Sequence, residues 1–313
     1  MDQYRGNSVA VILPCYNEAP AIASVVAGFR AALPEATIYV FDNDSSDGTA
    51  EVARTAGATV LTVKHRGKGN VVRRMFADVE ADIYLMADGD GTYDPRAARA
   101  MIEALLAGGL DMVVGCRAAE AGGAYRAGHR TGNQALTGAV SRIFGDGFTD
   151  MLSGYRALSR RYVKSFPALS KGFEIETELT IHALELRAPH GELMTAYGAR
   201  AAGTQSKLST WGDGLRILGT ILRLHMLERP LEFYLTLAFA GFLVSLGLGV
   251  PVIIEYLQTG LVPRFPTAIA AVGFMLGAAL CAACAIILDS VVTGRREAKR
   301  LVYLGIPAPR PRD

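Results

Sequence analysis

Residues 83–95 read IYLMADGDGTYDP, an apolar run that ends in two aspartates. The apolar part has the length and composition of a buried strand. Because side chains alternate along a strand, Asp88 and Asp90 should point to the same side. Carboxylates that close repel each other unless a cation lies between them, and Mg²⁺ prefers carboxylate oxygens together with substrate phosphates. The motif therefore predicts a metal and phosphate site at the end of a strand, with an ordinary acidic turn as the alternative.

Strand and helix patterns alternate on both sides of this motif. Apolar runs at 9–13, 38–41, 58–63 and 110–115 are typical of strands, and segments with helical periodicity separate them. This alternation predicts an α/β domain with a mostly parallel sheet. In such sheets ligands bind beyond the carboxyl ends of the strands, and the polar loops that fall there favour the metal and phosphate interpretation. These loops comprise residues 17–18, 42–47 and 88–94.

The pattern is less regular after residue 115. It predicts an amphipathic helix at 133–144, an extended segment at 151–159, a helix at 173–186 and a short strand at 193–197. The domain is expected to end near residue 210.

The overall charge of the chain is close to neutral, whereas its apolar residues are unevenly distributed. The 313 residues carry a formal net charge of +2, which gives no reason to expect a nucleic-acid partner. Two runs, 233–254 and 267–288, contain no charged residue, and each could cross the roughly 30 Å hydrocarbon core of a bilayer as a helix. A buried helix of a soluble protein is the alternative for either run alone. Two successive runs joined by a short link favour a membrane hairpin.

Basic residues flank this hairpin. Arg229 precedes the first run and Arg295 follows the second, whereas the connecting loop carries only Arg264, so the positive-inside rule places both flanks in the cytoplasm. Leucine, isoleucine and arginine dominate residues 211–229, which favours a helix in the membrane interface over one that packs on the soluble part. The expected organisation is a catalytic domain at 1–210, an amphipathic helix at 211–229, two transmembrane helices within 230–290 and a basic cytoplasmic tail at 291–313.

Five short motifs follow one another along the chain: PCYNE at 14–18, DNDSSDGT at 42–49, GKG at 67–69, DGD at 88–90 and SKL at 206–208. In this order and spacing they resemble glycosyltransferase family 2, and within it the polyprenyl-phosphate glycosyltransferases related to dolichol-phosphate mannose synthase. The resemblance covers roughly residues 9–208. The two apolar runs are similar to those of the bacterial two-span membrane members.

The resemblance implies a GT-A fold and a metal-dependent reaction. One hexose-type sugar would pass, with inversion, from a UDP- or GDP-linked donor to a polyprenyl phosphate at the cytoplasmic face of the inner membrane. Mg²⁺ or Mn²⁺ would be bound by Asp88 and Asp90, with Thr92 at the position of a further ligand that is often glutamine in the family. Asp88, Asp90 and Arg117 are the implied catalytic residues. Related enzymes form tetramers, so a homo-oligomer is expected.

The remaining candidate residues divide between donor and acceptor. The candidates for the donor nucleotide are Pro14, Tyr16, Asn17, Glu18, Asp42, Asn43, Lys68 and Asp88. The candidates for the acceptor or diphosphate are Arg117, Arg126, Arg130, Arg200, Ser206 and Lys207. Arginine suits this task because its planar guanidinium matches phosphate oxygens.

The sequence offers no clear general base, and the proposed acceptor does not need one. A phosphate monoester is already ionised near neutral pH, so its oxygen can attack the anomeric carbon directly. Two other functions stay open. One is a processive membrane polysaccharide synthase, which usually has more spans and a Gln-x-x-Arg-Trp motif that this chain lacks. The other is a non-catalytic, membrane-tethered protein that binds nucleotide sugars.

Overall fold

The computed structural model of the protein describes residues 4–119, 137–138, 140–142, 145, 147–198 and 210–310, with the backbone alone at 210–217 and 220. The chain forms two compact units. The first comprises Met1–Thr220 together with Lys299–Asp313, and the second comprises Ile221–Ala298.

A seven-stranded sheet forms the centre of the first unit within its described residues. The strands are β1 (Val9–Cys15), β2 (Thr37–Asp42), β3 (Thr59–Thr62), β4 (Ile83–Met86), β5 (Met112–Ala119), β6 (Arg156–Ser159) and β7 (His190–Tyr197). Their spatial order is β3-β2-β1-β4-β6-β5-β7. Neighbouring strands are parallel except for β6, which is antiparallel to β4 and β5. The predicted α/β domain with a mostly parallel sheet is therefore confirmed.

Helices cover both faces of this sheet, as β1 shows. Val11 and Leu13 of β1 belong to one hydrophobic cluster, whereas Ala10 and Ile12 belong to the other. Side chains of a strand point alternately to opposite faces, so a strand covered on both sides is apolar throughout. The described helices of this unit are α1 (Ala19–Ala32), α2 (Thr49–Thr55), α3 (Lys68–Asp78), α4 (Ala97–Ala107), α5 (Arg160–Ser165) and α6 (Ile175–Leu186).

The segment predicted as extended at 151–159 forms a strand only from Arg156 onward. The preceding residues curl around the Arg156 side chain, which is fully buried. Its guanidinium donates to the carbonyl oxygens of Met151 at 2.6 Å, Ser153 at 3.0 Å and Glu176 at 3.1 Å. A buried guanidinium needs such acceptors, and the chain satisfies them by turning instead of extending.

Other predicted boundaries shift by a few residues. The strand predicted at 193–197 begins at His190, and the strand predicted at 110–115 runs from Met112 to Ala119. Both lengthen because β5 and β7 pair in parallel over their full length. Most of the helix predicted at 133–144 lies outside the described residues.

The C-terminal residues belong to the first unit and contact the rest of it through the fully buried Asp111. One oxygen of Asp111 accepts from the hydroxyl of Ser159 at 2.6 Å and from Nε of Arg161 at 2.5 Å. The other accepts from Nη2 of Arg161 at 2.7 Å and from the hydroxyl of Tyr303. The Arg161 guanidinium also lies 4.7 Å from the centre of the Tyr303 ring. Residues 299–310, which lie in the predicted tail at 291–313, are part of the first unit.

Replacing Asp111 with alanine should lower the free energy of unfolding by about 3–5 kcal/mol, because it leaves the Arg161 guanidinium without its carboxylate partner. Tyr303→Phe is the matched control, since it removes one hydroxyl from the same carboxylate and should cost about 1 kcal/mol. Denaturant unfolding of the purified full chain, followed by circular dichroism, measures both. Equal losses for the two variants would contradict the role assigned to Asp111.

His182 on α6 is a buried histidine that stays neutral in the folded protein. Its ring contacts Tyr162 and Phe166 edge-on, and its Nε2 lies 3.1 Å from the hydroxyl oxygen of Ser165. Burial, with a smaller effect of the Lys299 charge, lowers the pKa of His182 from 6.5 to about 3. The unfolded chain binds a proton at this residue below its ordinary pKa, whereas the folded chain does not. The stability that the neutral ring provides is therefore complete above pH 6.5 and is lost as the pH falls toward 3.

We expect His182 alone to reduce the free energy of unfolding by about 2–3 kcal/mol between neutral pH and a pH two units below the histidine's ordinary pKa. His182→Phe keeps an aromatic ring at this position but cannot titrate. Its stability should therefore fall less steeply over this range than that of the unaltered protein, as measured by denaturant unfolding at several pH values. Parallel profiles for the two proteins would rule out this contribution.

The second unit contains most of two long apolar helices, α8 (Pro230–Thr259) and α9 (Phe265–Leu304), and the end of α7 (Thr210–Glu228). The most apolar 18-residue segments of α8 and α9 have mean hydropathies of 2.4 and 2.5. Both helices are long and apolar enough to cross a membrane. Ser245 of α8 donates to the carbonyl oxygen of Ala271 of α9 at 2.7 Å. Apart from Pro230 at the start of α8, the buried positions on each helix lie seven residues apart, as in a coiled-coil seam, and most are small enough for close helix packing. They are Ala238, Ser245 and Val252 on α8, and Ala271, Ala278, Ala285 and Val292 on α9.

Candidate active site

The three predicted polar loops meet at one edge of the sheet, beyond the ends of β1, β2 and β4. Cys15 at the end of β1 lies opposite Asp42 at the end of β2. Ile12 of β1 lies opposite Met86 at the end of β4. Because these strands are parallel, the loops that follow them leave the sheet side by side. The sequence therefore predicted correctly which three loops come together.

Hydrogen bonds join the first two loops into one surface. The backbone N–H of Asn17 donates to the hydroxyl of Ser45 at 2.9 Å, and the Asn17 side-chain oxygen accepts from the N–H of Ser46 at 2.9 Å. The N–H of Glu18 donates to the hydroxyl of Thr49 at 2.8 Å. Asn17 has a φ of 51°, a conformation that asparagine tolerates better than most residues. Asn17 and Glu18, both predicted at the donor site, are thus fixed beside the second loop.

Asp42 lies at the centre of this surface and is 4% exposed. Its Oδ2 accepts from the N–H of Ser45 at 3.3 Å, while its Oδ1 has no hydrogen-bond partner among the described residues. A buried carboxylate oxygen without a donor is costly, so a ligand hydroxyl at this point would be stabilising. Tyr16 lies at the same edge, with the Arg66 guanidinium 5.1 Å from its ring centre. Arg66 was not among the residues predicted from the sequence.

The Asn43 side chain forms hydrogen bonds with the backbone of the neighbouring loop. Its side-chain nitrogen donates to the carbonyl oxygens of Val63 at 2.8 Å and His65 at 2.9 Å. Its side-chain oxygen accepts from the N–H of Gly67 at 2.7 Å. These three bonds use both amide hydrogens and the amide oxygen, so Asn43 fixes the loop that leads to Lys68. The predicted donor residue Asn43 therefore acts on the site through this loop.

Lys68 lies between two carboxylates beside the end of β4. Its Nζ is 2.5 Å from Oδ1 of Asp88 and 2.5 Å from Oε1 of Glu176. The Lys68 side chain is 10% exposed and that of Glu176 is 5% exposed. Burial alone would lower the pKa of Lys68, but the charges of Asp88 and Glu176 outweigh it and raise the pKa, so the ammonium stays charged. Glu176 lies in the helix predicted at 173–186, and nothing in the sequence indicated its contact with Lys68.

Asp90 is more enclosed than Asp88, with 4% of its surface exposed. Its Oδ1 accepts from the N–H of Thr92 at 3.1 Å and from the Thr92 hydroxyl at 2.7 Å. The predicted metal ligand Thr92 thus orients the Asp90 carboxylate. Gly89 has to be glycine, because a Cβ there would lie 2.3 Å from Sγ of Cys15.

A second loop faces the open side of Asp88. A Cβ added at Gly154 would lie 3.0 Å from Oδ2 of Asp88, so this glycine leaves room in front of the carboxylate. The N–H of Gly154 donates to the Tyr93 hydroxyl at 2.8 Å, which holds the two loops together. Burial raises the pKa of Tyr93, so the phenol stays protonated and neutral.

Arg117 at the end of β5 forms a two-pronged ion pair with Asp150. Its Nε donates to Oδ2 at 2.8 Å and its Nη2 donates to Oδ1 at 2.7 Å. The Arg117 guanidinium also lies 5.6 Å from the centre of the Tyr197 ring, and Tyr197 contacts Tyr93 with ring centres 5.4 Å apart. Arg117 is therefore connected to the loop that follows β4. Its partner Asp150 was not predicted from the sequence.

The other predicted phosphate contacts lie outside the described residues. They are Arg126, Arg130, Arg200, Ser206 and Lys207.

The chemistry of the carboxylates fits a hard divalent cation. Asp88 and Asp90 offer oxygen ligands, which Mg²⁺ and Mn²⁺ prefer, and Asp88 is 29% exposed. Within the described part of the chain, no group of three or more histidine, cysteine, aspartate or glutamate side chains is arranged to hold a metal. A cation here would need further oxygen ligands from substrate phosphates or water, which is how Mg²⁺ is commonly bound in phosphate sites.

Two sequence comparisons agree with this geometry. The sequence profile of glycosyl transferase family 2 matches residues 10–166. The chain is 33% identical over 276 residues to the glycosyltransferase AglJ of Haloferax volcanii, with 88% of this chain and 90% of that protein covered. It is 27% identical over 229 residues to a dolichyl-phosphate hexose transferase of the same organism, with 73% of this chain and 99% of that protein covered.

The fold also has solved relatives. Glucosyl-3-phosphoglycerate synthase from Mycobacterium tuberculosis, in complex with Mn²⁺, UDP-glucose and phosphoglyceric acid, is similar with a TM-score of 0.57 and 26% identity. The similarity covers 70% of this chain and 80% of that one, which confirms the predicted GT-A-like fold. The sequence profile, the full-length similarity to AglJ and the strand-end carboxylates together show that this chain belongs to glycosyltransferase family 2.

Proposed function

We propose that this glycosyltransferase transfers a single hexose-type sugar, with inversion, from a UDP- or GDP-linked donor to a polyprenyl phosphate. The observation that carries the proposal is the position of Arg117. Its guanidinium contacts the ring of Tyr197, which in turn contacts Tyr93 in the loop that holds Asp88 and Asp90. A phosphate-binding arginine and a pair of metal-binding carboxylates at one edge suit a reaction between a diphosphate donor and a phosphate acceptor. The similarity to a dolichyl-phosphate hexose transferase supports this acceptor class.

The donor would lie across the ends of β1, β2 and β4. Asp42 would accept from a ribose hydroxyl, Glu18 and Asn17 would shape the base pocket, and Tyr16 with Arg66 would stack on the base. Pro14 and Asn43 would hold these loops in position. The solved relative in complex with UDP-glucose and Mn²⁺ supports a nucleotide-sugar donor for this chain.

The reaction would proceed by positioning and electrostatics. The ionised acceptor phosphate needs no general base, so Arg117 would hold it by its planar guanidinium and aim an oxygen at the anomeric carbon. Asp150 would keep that guanidinium in place through its two-pronged contact. Mg²⁺ or Mn²⁺ at Asp88 and Asp90, the latter oriented by Thr92, would neutralise the charge that grows on the leaving diphosphate. Arg126, Arg130, Arg200, Ser206 and Lys207 remain candidates for further phosphate contacts.

The helices α8 and α9 would anchor the enzyme in the cell membrane. A polyprenyl tail stays in the bilayer while its phosphate lies at the membrane surface. An enzyme anchored in the membrane would therefore remain near its acceptor. Basic residues lie before α8 and in the last part of α9, which favours a cytoplasmic catalytic domain. We include self-association in this proposal, because the exposed glycines Gly247, Gly273 and Gly277 would permit close packing with further copies.

An assay of the purified full chain tests the function. Radiolabelled UDP- and GDP-sugars are supplied with undecaprenyl phosphate in detergent and either Mn²⁺ or EDTA. The proposal predicts a product that extracts into organic solvent with one of these donors, requires the metal and carries one sugar. A polymeric product would instead indicate a processive synthase, and nucleotide binding without any transfer would indicate a binding protein.

A further inference from the structure

The Lys68 ammonium is paired with a carboxylate oxygen of Asp88 that a metal ion would use as a ligand. It lies 2.5 Å from Oδ1 of Asp88, one of the two carboxylates that fit a divalent cation. A positive charge at this place both blocks one ligand atom and repels a second cation. The first residue of α3 therefore opposes metal binding for as long as it stays on Asp88.

The backbone of Lys68 cannot move far, so a change of partner has to come from its side chain. Gly69 approaches the neighbouring loop so closely that a Cβ there would lie 2.2 Å from the carbonyl oxygen of Ser170. The N–H of Gly69 also donates to the carbonyl oxygen of Gly172 at 3.1 Å. These contacts fix the start of α3, whereas the four-carbon side chain of Lys68 retains several rotatable bonds.

Glu176 gives this side chain a second anchor. Its Oε1 lies 2.5 Å from Nζ of Lys68, while its Oε2 has no hydrogen-bond partner among the described residues. The Glu176 carboxylate is almost fully buried, so it attracts the ammonium strongly. Its Oε2 can accept a further hydrogen bond from the ammonium. Lys68 can leave Asp88 without losing its charge partner.

We propose that Lys68 and Glu176 form a switch that couples metal binding to donor binding. Without donor, Lys68 neutralises Asp88 and keeps the metal affinity low. When the donor diphosphate arrives, its negative charge attracts Lys68 away from Asp88, and Glu176 retains the ammonium beside the phosphates. Metal and nucleotide then bind together, each raising the affinity for the other by the same factor, as linkage requires. This inference rests on the proposed function only in placing a nucleotide diphosphate beside Asp88.

Mn²⁺ binding to the full-length protein, followed by electron paramagnetic resonance, tests the switch. For the unaltered protein, saturating UDP or GDP should raise the Mn²⁺ affinity by about 10-fold or more. Lys68→Met removes the competing charge at similar length, so Mn²⁺ alone should bind several-fold more tightly. The nucleotide should then raise the Mn²⁺ affinity by a clearly smaller factor than in the unaltered protein, because only direct coordination by its phosphates remains. Lys171→Met removes the same charge from an exposed neighbouring residue and should change neither value.

Glu176→Gln provides an independent test that keeps Lys68 in place. Removing the second anchor should leave the ammonium more firmly on Asp88, so Mn²⁺ alone should bind more weakly than to the unaltered protein. Opposite shifts for Lys68→Met and Glu176→Gln support the switch, whereas a loss of metal affinity in both variants would mean that the lysine and glutamate only hold the site together.

The outcomes separate the switch from the proposed function. If Lys68→Met raises the Mn²⁺ affinity but neither UDP nor GDP binds any variant, the competition is real and the donor class is wrong. If nucleotide binds and the coupling is unchanged in Lys68→Met, the proposed function stands and the switch is overturned.

Discussion

Replacing Asp90 with asparagine is expected to reduce sugar transfer by about 100-fold or more while the protein stays folded. The asparagine oxygen can still accept from the N–H and hydroxyl of Thr92, so the loop should keep its shape. What disappears is the negative charge that would hold a divalent cation against the donor diphosphate. Initial rates at saturating donor, acceptor and Mn²⁺ measure the loss.

Asp94→Asn is the matched control for this variant. Asp94 lies in the same loop, and its carboxylate pairs with the exposed side chain of Arg96 at 2.9 Å. Removing this charge should leave the rate within a few-fold of the unaltered protein, because exposed ion pairs contribute little. Full metal-dependent transfer by Asp90→Asn would show that Asp90 does not serve the metal.

Arg117→Ala should also lower transfer by about 100-fold, mainly through the lipid acceptor. The Arg117 side chain is 15% exposed and that of Asp150 is 9% exposed, so truncation removes both the phosphate contact and the main countercharge of a buried carboxylate. That carboxylate would then repel the acceptor phosphate. We expect a higher KM for polyprenyl phosphate and a lower kcat, with little change in the KM for the nucleotide sugar.

Two further variants sharpen this result. Arg117→Lys keeps the charge but loses the planar fork, so it should recover only part of the activity. Arg96→Ala removes an exposed arginine and should have little effect. An Arg117→Ala enzyme that loses affinity for the donor but not for the lipid would contradict the assignment of Arg117 to the acceptor.

Local patterns were sufficient to predict the edge of the sheet that carries the site. β1, β2 and β4 are mostly apolar runs with polar residues at or just after their ends, and parallel strands bring such ends together. The positions of Asp42, Asp88 and Asp90 followed from this rule alone. The helix α1 also followed directly from its apolar periodicity.

The partners of these residues depend on long-range contacts, which a local pattern does not encode. Glu176 reaches Lys68 because α6 packs over the sheet, and its neighbours on α6 include other glutamates with different tasks. Glu178, for example, accepts from the N–H groups of Leu169 and Ser170, both at 2.8 Å. Asp150 meets Arg117 because the chain turns before the antiparallel strand β6, and the turn depends on the buried Arg156.

The residue type alone also did not predict which hydrogen bonds a side chain makes. Asn43 stays a predicted donor residue, and its amide nitrogen and oxygen are also bonded to the loop before Lys68. Residues 291–313 were predicted only as a basic tail, and nothing in their sequence indicated that the Tyr303 hydroxyl donates to the buried Asp111. In both cases a buried partner distant in sequence decides the contact.

The mass of the lipid product tests the central claim most directly. The purified full chain is incubated with undecaprenyl phosphate, Mn²⁺ and the preferred nucleotide sugar, and the organic extract is analysed by mass spectrometry. The account predicts undecaprenyl phosphate carrying one hexose residue, with about 100-fold less product from Asp90→Asn and none in EDTA. A lipid that carries several sugars, or donor turnover that leaves undecaprenyl phosphate unmodified, would contradict it.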